Sequence, residues 1–185
     1  RREWAFVLHV MSADGTGIRQ ISVNQSHDLD PAVMNDGRIV FSRWENASGS
    51  SIHLYTVRPD GAGLELLYGA NSHATGSGGS TVQFMQPRPR PDGRVLALIR
   101  PFADTEKGGD GVLIDTSGYV EIAQPVLANA GMTGPAQVKV TGNDVRTLPG
   151  LSPGGRYAAM FPLWDGTDRV LASWTLCRVL LDGRT

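Results

Sequence analysis

His27, Asp28 and Asp30 fall within four residues in the string Ser26-His27-Asp28-Leu29-Asp30. An imidazole and two carboxylates this close can supply two or three ligands to a divalent cation. The competing use of the same carboxylates is local, because an aspartate beside a turn accepts hydrogen bonds from nearby backbone amides. Other clusters point less directly to chemistry. Gly76-Ser77-Gly78-Gly79 has the glycine density of a phosphate cradle, but no Lys-Ser/Thr pair follows it and no helix is expected behind it. It therefore reads as a flexible loop, with His73 as a solvated histidine beside it. Arg88, Arg90, Arg94 and Arg100 form a basic cluster suited to an acidic partner or to a solvated edge. Asn24-Gln25-Ser26 and Asn46-Ala47-Ser48 match glycan acceptors, a frequent chance pattern. Trp164-Asp165 stands without an upstream Gly-His partner. Neither a Gly-x-Ser-x-Gly elbow nor a His-Glu-x-x-His pair occurs, so no catalytic residue and no cofactor is expected within the segment. Cys177 is the sole cysteine, which excludes an internal disulfide. It is expected to be a small buried apolar residue of a strand, the alternatives being a bridge or a metal ligand shared with a neighbouring domain.

The elements that must position these residues are short. Runs rich in β-branched, aromatic and aliphatic residues cover 5–11, 38–43, 52–57, 94–100, 111–114, 156–161 and 169–173, between clusters of Gly, Pro and Asp. These are strand lengths, and no longer window keeps a helical period. With 23 Gly and 11 Pro in 185 residues, long helices are disfavoured and an all-β chain is expected. The net charge of −1 gives no electrostatic case for nucleic acid. No apolar run approaches the roughly 20 residues of a membrane-spanning helix. The ends at Arg1 and Thr185 carry no leader and fall in mid-pattern, as cuts within a longer chain would.

The runs repeat. Three turns precede an apolar run: Asp36-Gly37-Arg38, Asp92-Gly93-Arg94 and Gly154-Gly155-Arg156. Pro31, Pro87 and Pro149 each stand six residues before the turn glycine, and the glycines are 56 and 62 residues apart. A second series follows apolar runs: Asp14-Gly15, Asp60-Gly61, Ser117-Gly118 and Asp182-Gly183. Such pairs supply the positive φ angles of tight type I′ hairpin turns. Each unit thus reads as strand, turn, strand, longer loop, strand, turn, strand, a four-stranded antiparallel meander like the blade of a β-propeller. The units are 27–63, 83–120 and 145–183, with a half blade at 3–23. About three and a half blades cannot close a ring of six or seven, so part of a larger propeller is expected. A β-sandwich with accidental turn similarity is the alternative.

The strings His9-Val10-Met11-Ser12-Ala13-Asp14-Gly15-Thr16-Gly17 and Asp36-Gly37-Arg38-Ile39-Val40-Phe41-Ser42 resemble repeats of TolB-type propellers, whose turns carry a Pro-Asp-Gly core. Arg58-Pro59-Asp60-Gly61 and Arg90-Pro91-Asp92-Gly93-Arg94 fit that core. Pro153-Gly154-Gly155 departs from it, and the tryptophan of the pattern is replaced by Val33, Pro89 and Leu151. The run from Asp36 to Glu45, with Leu54-Tyr55-Thr56-Val57 and Leu67-Tyr68-Gly69, is similar to the middle domain of the hydrazine synthase alpha-subunit family. That resemblance implies a periplasmic or otherwise extracytoplasmic setting. It also implies a propeller standing between haem-bearing domains, with protein partners or neighbouring domains of the same chain. Haem c attachment needs Cys-x-x-Cys-His, which one cysteine cannot supply, so any haem c belongs to flanking domains. Two functions follow as expectations: a non-catalytic binding or scaffold module, or a structural domain of a multihaem redox enzyme. The propeller of a serine peptidase, gating a separate hydrolase domain, is a third.

Overall fold

The computed structural model describes residues 4–46, 49–101 and 108–175. The chain forms β1 (His9–Val10), β2 (Arg19–Gln20), β3 (Asp28–Val33), β4 (Ile39–Glu45), β5 (Ser51–Val57), β6 (Glu65–Tyr68), β7 (Gln83–Pro89), β8 (Val95–Arg100), β9 (Asp110–Ile114), β10 (Tyr119–Glu121), β11 (Gln124–Pro125), β12 (Gln137–Lys139), β13 (Arg156–Pro162) and β14 (Val170–Thr175). Single 3-10 turns at Ser77–Gly79 and Leu127–Asn129 are the helical content of the described residues. Among those residues no helix is long and apolar enough to cross a membrane.

Two sheets are four-stranded antiparallel, in the orders β3-β4-β5-β6 and β12-β9-β8-β7. The hairpin β1-β2 precedes them and the pair β13-β14 follows. Three apolar layers join these units in chain order. Leu8 and Ile21 of the first hairpin pack with Ile39, Phe41 and Val57 of the first sheet. Leu54 and Tyr68 of that sheet pack with Phe84, Val95, Ala97, Ile99 and Val112 of the second. Leu96, Leu98 and Leu113 of the second sheet pack with Val145, Tyr157 and Met160. The alternation along β8 states the architecture: Val95, Ala97 and Ile99 enter one layer, Leu96 and Leu98 the next. A strand buried on both faces reads as a continuous apolar run, as Val95-Leu96-Ala97-Leu98-Ile99 does. Each fully buried Phe or Leu contributes about 1.5–3 kcal/mol from burial.

The turns at Gly15, Gly37, Gly61 and Gly93 are not type I′. In the Asp36-Gly37 turn, the Gly37 N–H donates to Met34 O and the Met34 N–H to Arg38 O. Only the glycine has positive φ, 83°. This is a three-residue loop, a type I turn closed by a left-handed glycine bulge. Identical bond pairs close the turns at Gly15, Gly61 and Gly93, with φ of 84°, 87° and 85°. The Pro-Asp-Gly core now has a physical reading. Proline presets φ at the second turn position, aspartate follows, and glycine takes the left-handed site. Each aspartate also accepts the N–H two residues on: Asp14 from Thr16, Asp36 from Arg38, Asp60 from Ala62, Asp92 from Arg94. In the third unit Pro153-Gly154-Gly155 keeps one of the two closing bonds, Gly155 N–H donating to Ser152 O with Gly155 at φ 72°.

The repeated prolines mark bulges. Ladder register shifts between Leu29 and Ala32 in β3 and between Met85 and Arg88 in β7. The extra residues are Asp30-Pro31 and Gln86-Pro87, where proline's missing N–H takes nothing from the ladder. Asp30 and Gln86 both sit at positive φ, 55° and 50°. The third unit differs: no strand is assigned around Pro149, and Gly150 takes a φ of 93° instead.

Ser117-Gly118 does not lead into a fourth blade strand. It leads into the small hairpin β10-β11, and the edge strand of the second sheet is β12, well beyond position 120 where the repeat pattern ends that unit. The apolar run at 5–11 is strand only at His9–Val10. Asp182-Gly183 and Cys177 lie outside the described residues.

Candidate functional site

His27, Asp28 and Asp30 are adjacent in sequence but serve three separate places. Asp28 is buried, and its carboxylate accepts from Ser22 Oγ at 2.6 Å, Asn24 Nδ2 at 2.9 Å and Arg43 Nη1 at 3.2 Å. Arg43 also donates to Val23 O and lies over the Tyr55 ring at 5.4 Å. His27 Nδ1 accepts the Phe6 N–H at 3.1 Å, and its ring stacks on Trp44 at 5.2 Å. Asp30 turns away and accepts the Gln86 N–H at 3.2 Å. Among the described residues no group of three His, Cys, Asp or Glu side chains could hold a metal ion. Asn24 spends its amide on His27 O, Asp28 and Trp44 O.

The turn residues grip the next unit. Arg19 donates to Asp60 O and Pro59 O at 2.8 and 2.9 Å. Asn35 Nδ2 donates to Arg90 O at 3.1 Å, and Arg90 Nη2 to Asp168 Oδ1 at 2.6 Å. Arg38 and Arg94 each fold back on the aspartate two residues before. Arg156 has glycine at that position. It is buried instead and donates to Arg146 O, Leu148 O and Gly150 O, holding a strandless segment by its carbonyls. The basic cluster is thereby dispersed: Arg90 and Arg94 serve Asp92 and Asp168, and Arg88 bonds Pro87 O. The turn aspartates are acidified. For Asp14 the Thr16 amide and hydroxyl hold the carboxyl below its ordinary range. At Asp36 and Asp92 slight burial opposes the shift, and the Arg38 and Arg94 amides and guanidinium groups override it.

The glycine-rich segment is a strut rather than a flexible loop. Ser77 N–H donates to Thr147 Oγ1 at 2.7 Å, Thr147 N–H to Ser77 Oγ at 3.1 Å, and Ser80 Oγ lies 2.9 Å from Thr147 Oγ1. These bonds cross from the first sheet's exit loop to the third unit. Close by, Ser72 Oγ donates to Glu121 at 2.5 Å and accepts the Ile122 N–H at 2.8 Å, and the Asn71 N–H also donates to Glu121. His73 is half-buried rather than solvated. Its Nδ1 meets Val82 O at 2.5 Å and its Nε2 meets His53 Nδ1 at 2.9 Å. His53, Ser72 and Glu121 carry this seam and have no motif around them. The available signal was a histidine inside the strand run Ile52-His53-Leu54-Tyr55-Thr56-Val57, where a polar ring must be buried with a partner.

A further buried charge lies at the edge of the second sheet. Asp110 is 1% exposed, and Lys139 Nζ reaches its Oδ2 at 2.8 Å. Burial pushes the Asp110 carboxyl up, with the Lys139 ammonium and the Gly111 amide opposing.

No family model matches the chain, and no curated protein matches it. Among solved structures it is similar to hydrazine synthase of Kuenenia stuttgartiensis, at 22% identity and a TM-score of 0.57 over 91% of this chain. The chain spans 19% of that protein's length. At this identity the likeness is one of fold, an all-β array of antiparallel four-stranded sheets.

Proposed function

We propose that the chain is a non-catalytic scaffold section of a larger β-propeller, about three and a half blades long, in an extracytoplasmic protein. The observation that carries this is an uncovered face. Val40 and Phe41 of β4 are fully buried on opposite sides, and β8 is buried on both. On β13 only one side is covered: Tyr157 and Met160 are buried, while Phe161 is 50% exposed and Leu171 of the paired β14 is 65% exposed. Large apolar side chains on an open sheet face call for a covering layer. The stacking of the preceding units indicates another blade of the same protein. The polar clusters support a structural role, since Asp28, Glu121 and Asp30 are engaged by neighbouring groups of this chain. Comparing the 1–185 segment with the intact protein tests this. The segment alone is expected to bind a hydrophobic dye and self-associate, and the intact protein to do neither. A segment that stays monomeric and silent to the dye would overturn the proposal.

The second reading is a structural domain of a hydrazine synthase-like multihaem enzyme, favoured by the fold match. In that case any haem c belongs to flanking domains. A haem Soret band in the intact protein supports it, and its absence removes it.

A further inference from the structure

We infer that the open edge of β1 is a docking site for one antiparallel β-strand of the same protein, an apolar strand equivalent to β4 and β8. This rests on the chain being a section of a larger propeller, and it fixes where the neighbouring section joins. The hairpin β1-β2 repeats β5-β6. The two Asp-Gly turns, Asp14-Gly15 and Asp60-Gly61, stand 46 residues apart. At that offset the ladders coincide: His9 opposite Gln20 and Val10 opposite Arg19 become Tyr55 opposite Leu66 and Thr56 opposite Glu65. Leu8 packs against the first sheet as Leu54 packs against the second. The approach to the strand matches too. The Phe6 N–H donates to His27 Nδ1 at 3.1 Å, and the Ile52 N–H to Gln83 Oε1 at 2.6 Å, His27 and Gln83 being one repeat apart.

By this equivalence β1 is the third strand of a blade. In both complete sheets the third strand is interior: β5 lies between β4 and β6, and β9 between β8 and β12. Among the described residues β1 pairs with β2 alone. Leu8 O accepts the Ile21 N–H and Val10 lies opposite Arg19, so the even-numbered main-chain groups serve β2. Strand alternation turns the N–H and C=O of Val7 and His9 to the other edge. There Val7 O meets only the exposed His9 ring, with Nδ1 at 3.1 Å, which an incoming N–H can replace. Beside this edge runs a groove of about 370 Å³, whose apolar lining includes Phe6, Leu8, Ile21, Leu29, Pro31 and Ile39. An unpaired strand edge beside an apolar groove is the geometry of strand addition.

The complete sheets also set the chemistry of the incoming strand. Across the ladder from Thr56 and Leu54 stand Val40 and Ser42, and across from Leu113 and Gly111 stand Leu96 and Leu98. The residues that come to lie opposite Val10 and Leu8 take those same places, facing the groove, and are expected to be apolar. The same protein is the source because β4 and β5, and likewise β8 and β9, are consecutive strands of one chain.

Proline substitution in the intact protein tests the inference. His9 and Gln20 are ladder partners whose N–H groups point away from each other, one toward the docking edge and the other to the outside of β2. Proline is tolerated on an edge and breaks a ladder bond inside a sheet. His9→Pro is expected to lower the thermal midpoint by about 5 °C or more, and Gln20→Pro to leave it near the wild type. Equal midpoints for the two variants would overturn the inference. Should His9→Pro fail to fold, hydrogen exchange of the wild type resolved to single amides decides. The Val7 and His9 amides are expected to exchange about a hundredfold slower than their intrinsic rates in a protein that sediments as a monomer. Exchange at the intrinsic rates would overturn the inference. Protection that appears only in a dimer and is lost on dilution would give the edge to a second copy and overturn the assignment to the same protein. The dye test of the section reading reports on the β13–β14 face, so the two can fail separately.

Discussion

The Asp30 carboxylate accepts the backbone N–H of Gln86, the residue at its own position one repeat later, across 3.2 Å. Both stand at positive φ immediately before a proline in a bulged strand. A residue that looks like a cation ligand in the sequence therefore links one unit to the next. Asp30→Ala removes the acceptor and leaves a non-glycine residue in the left-handed region. A loss of about 1–2 kcal/mol is expected, read from denaturant midpoints at constant m value. Gln86→Gly relieves the left-handed strain and is expected to be neutral or slightly stabilising.

Ser42 Oγ is buried without a hydrogen-bond partner. The same repeat position holds Leu98 and Met160 in the other units, an apolar site. Ser42→Ala is expected to raise stability by about 1 kcal/mol, seen as a higher midpoint of thermal unfolding. A lower midpoint would mean the hydroxyl has a partner.

Lys139 is half-exposed and Asp110 is not. Lys139→Met leaves a buried carboxyl without its cation, and a loss of about 2 kcal/mol at pH 7 is expected. Asp110→Asn in the same background should recover most of it. The linkage has a definite sign. The Asp110 carboxyl is raised, so its contribution to stability is present below the ordinary carboxylate value and lost as pH rises through its folded value. Removal of Lys139 therefore costs less at pH 4 than at pH 7, as paired denaturation curves would show.

A Cβ on Gly76 would sit on Ser80 Oγ and Thr147 Oγ1 and 2.7 Å from Ser80 O. Gly76→Ala is expected to break the strut to the third unit and cost about 1–3 kcal/mol. Limited proteolysis should then open at 75–80 first. Unchanged proteolysis would show that the strut carries no stability.

The carboxylates of Asp14, Asp36, Asp60 and Asp92 are all held below their ordinary range. Their stabilisation is complete above about pH 3.8 and lost as pH falls through their folded values. Acid unfolding should thus show a limb below pH 4 that Asp36→Asn and Asp92→Asn reduce.

The repeated turns were legible because proline, aspartate and glycine act locally. Each fills a backbone position that other residues fill poorly, so the signal survives without tertiary context. The turn class was not, because Asp-Gly serves both a two-residue and a three-residue loop, and the closing bonds of Met34 with Arg38 decide between them. Strand β12 was hidden behind an insertion whose Ser117-Gly118 turn copies the blade pattern. The roles of His27, Asp28 and Asp30 depend on Phe6, Arg43 and Gln86, which only folding brings near. His53 and His73, 20 residues apart, carry no motif because their contact is made by two elements meeting.

The covered or open state of the β13–β14 face bears most directly on the scaffold proposal. Thiol labelling of Leu171→Cys, in the intact protein with Cys177→Ser, measures it. A covering blade predicts labelling about a hundredfold slower than in the denatured chain. Labelling as fast as in the denatured chain would contradict it.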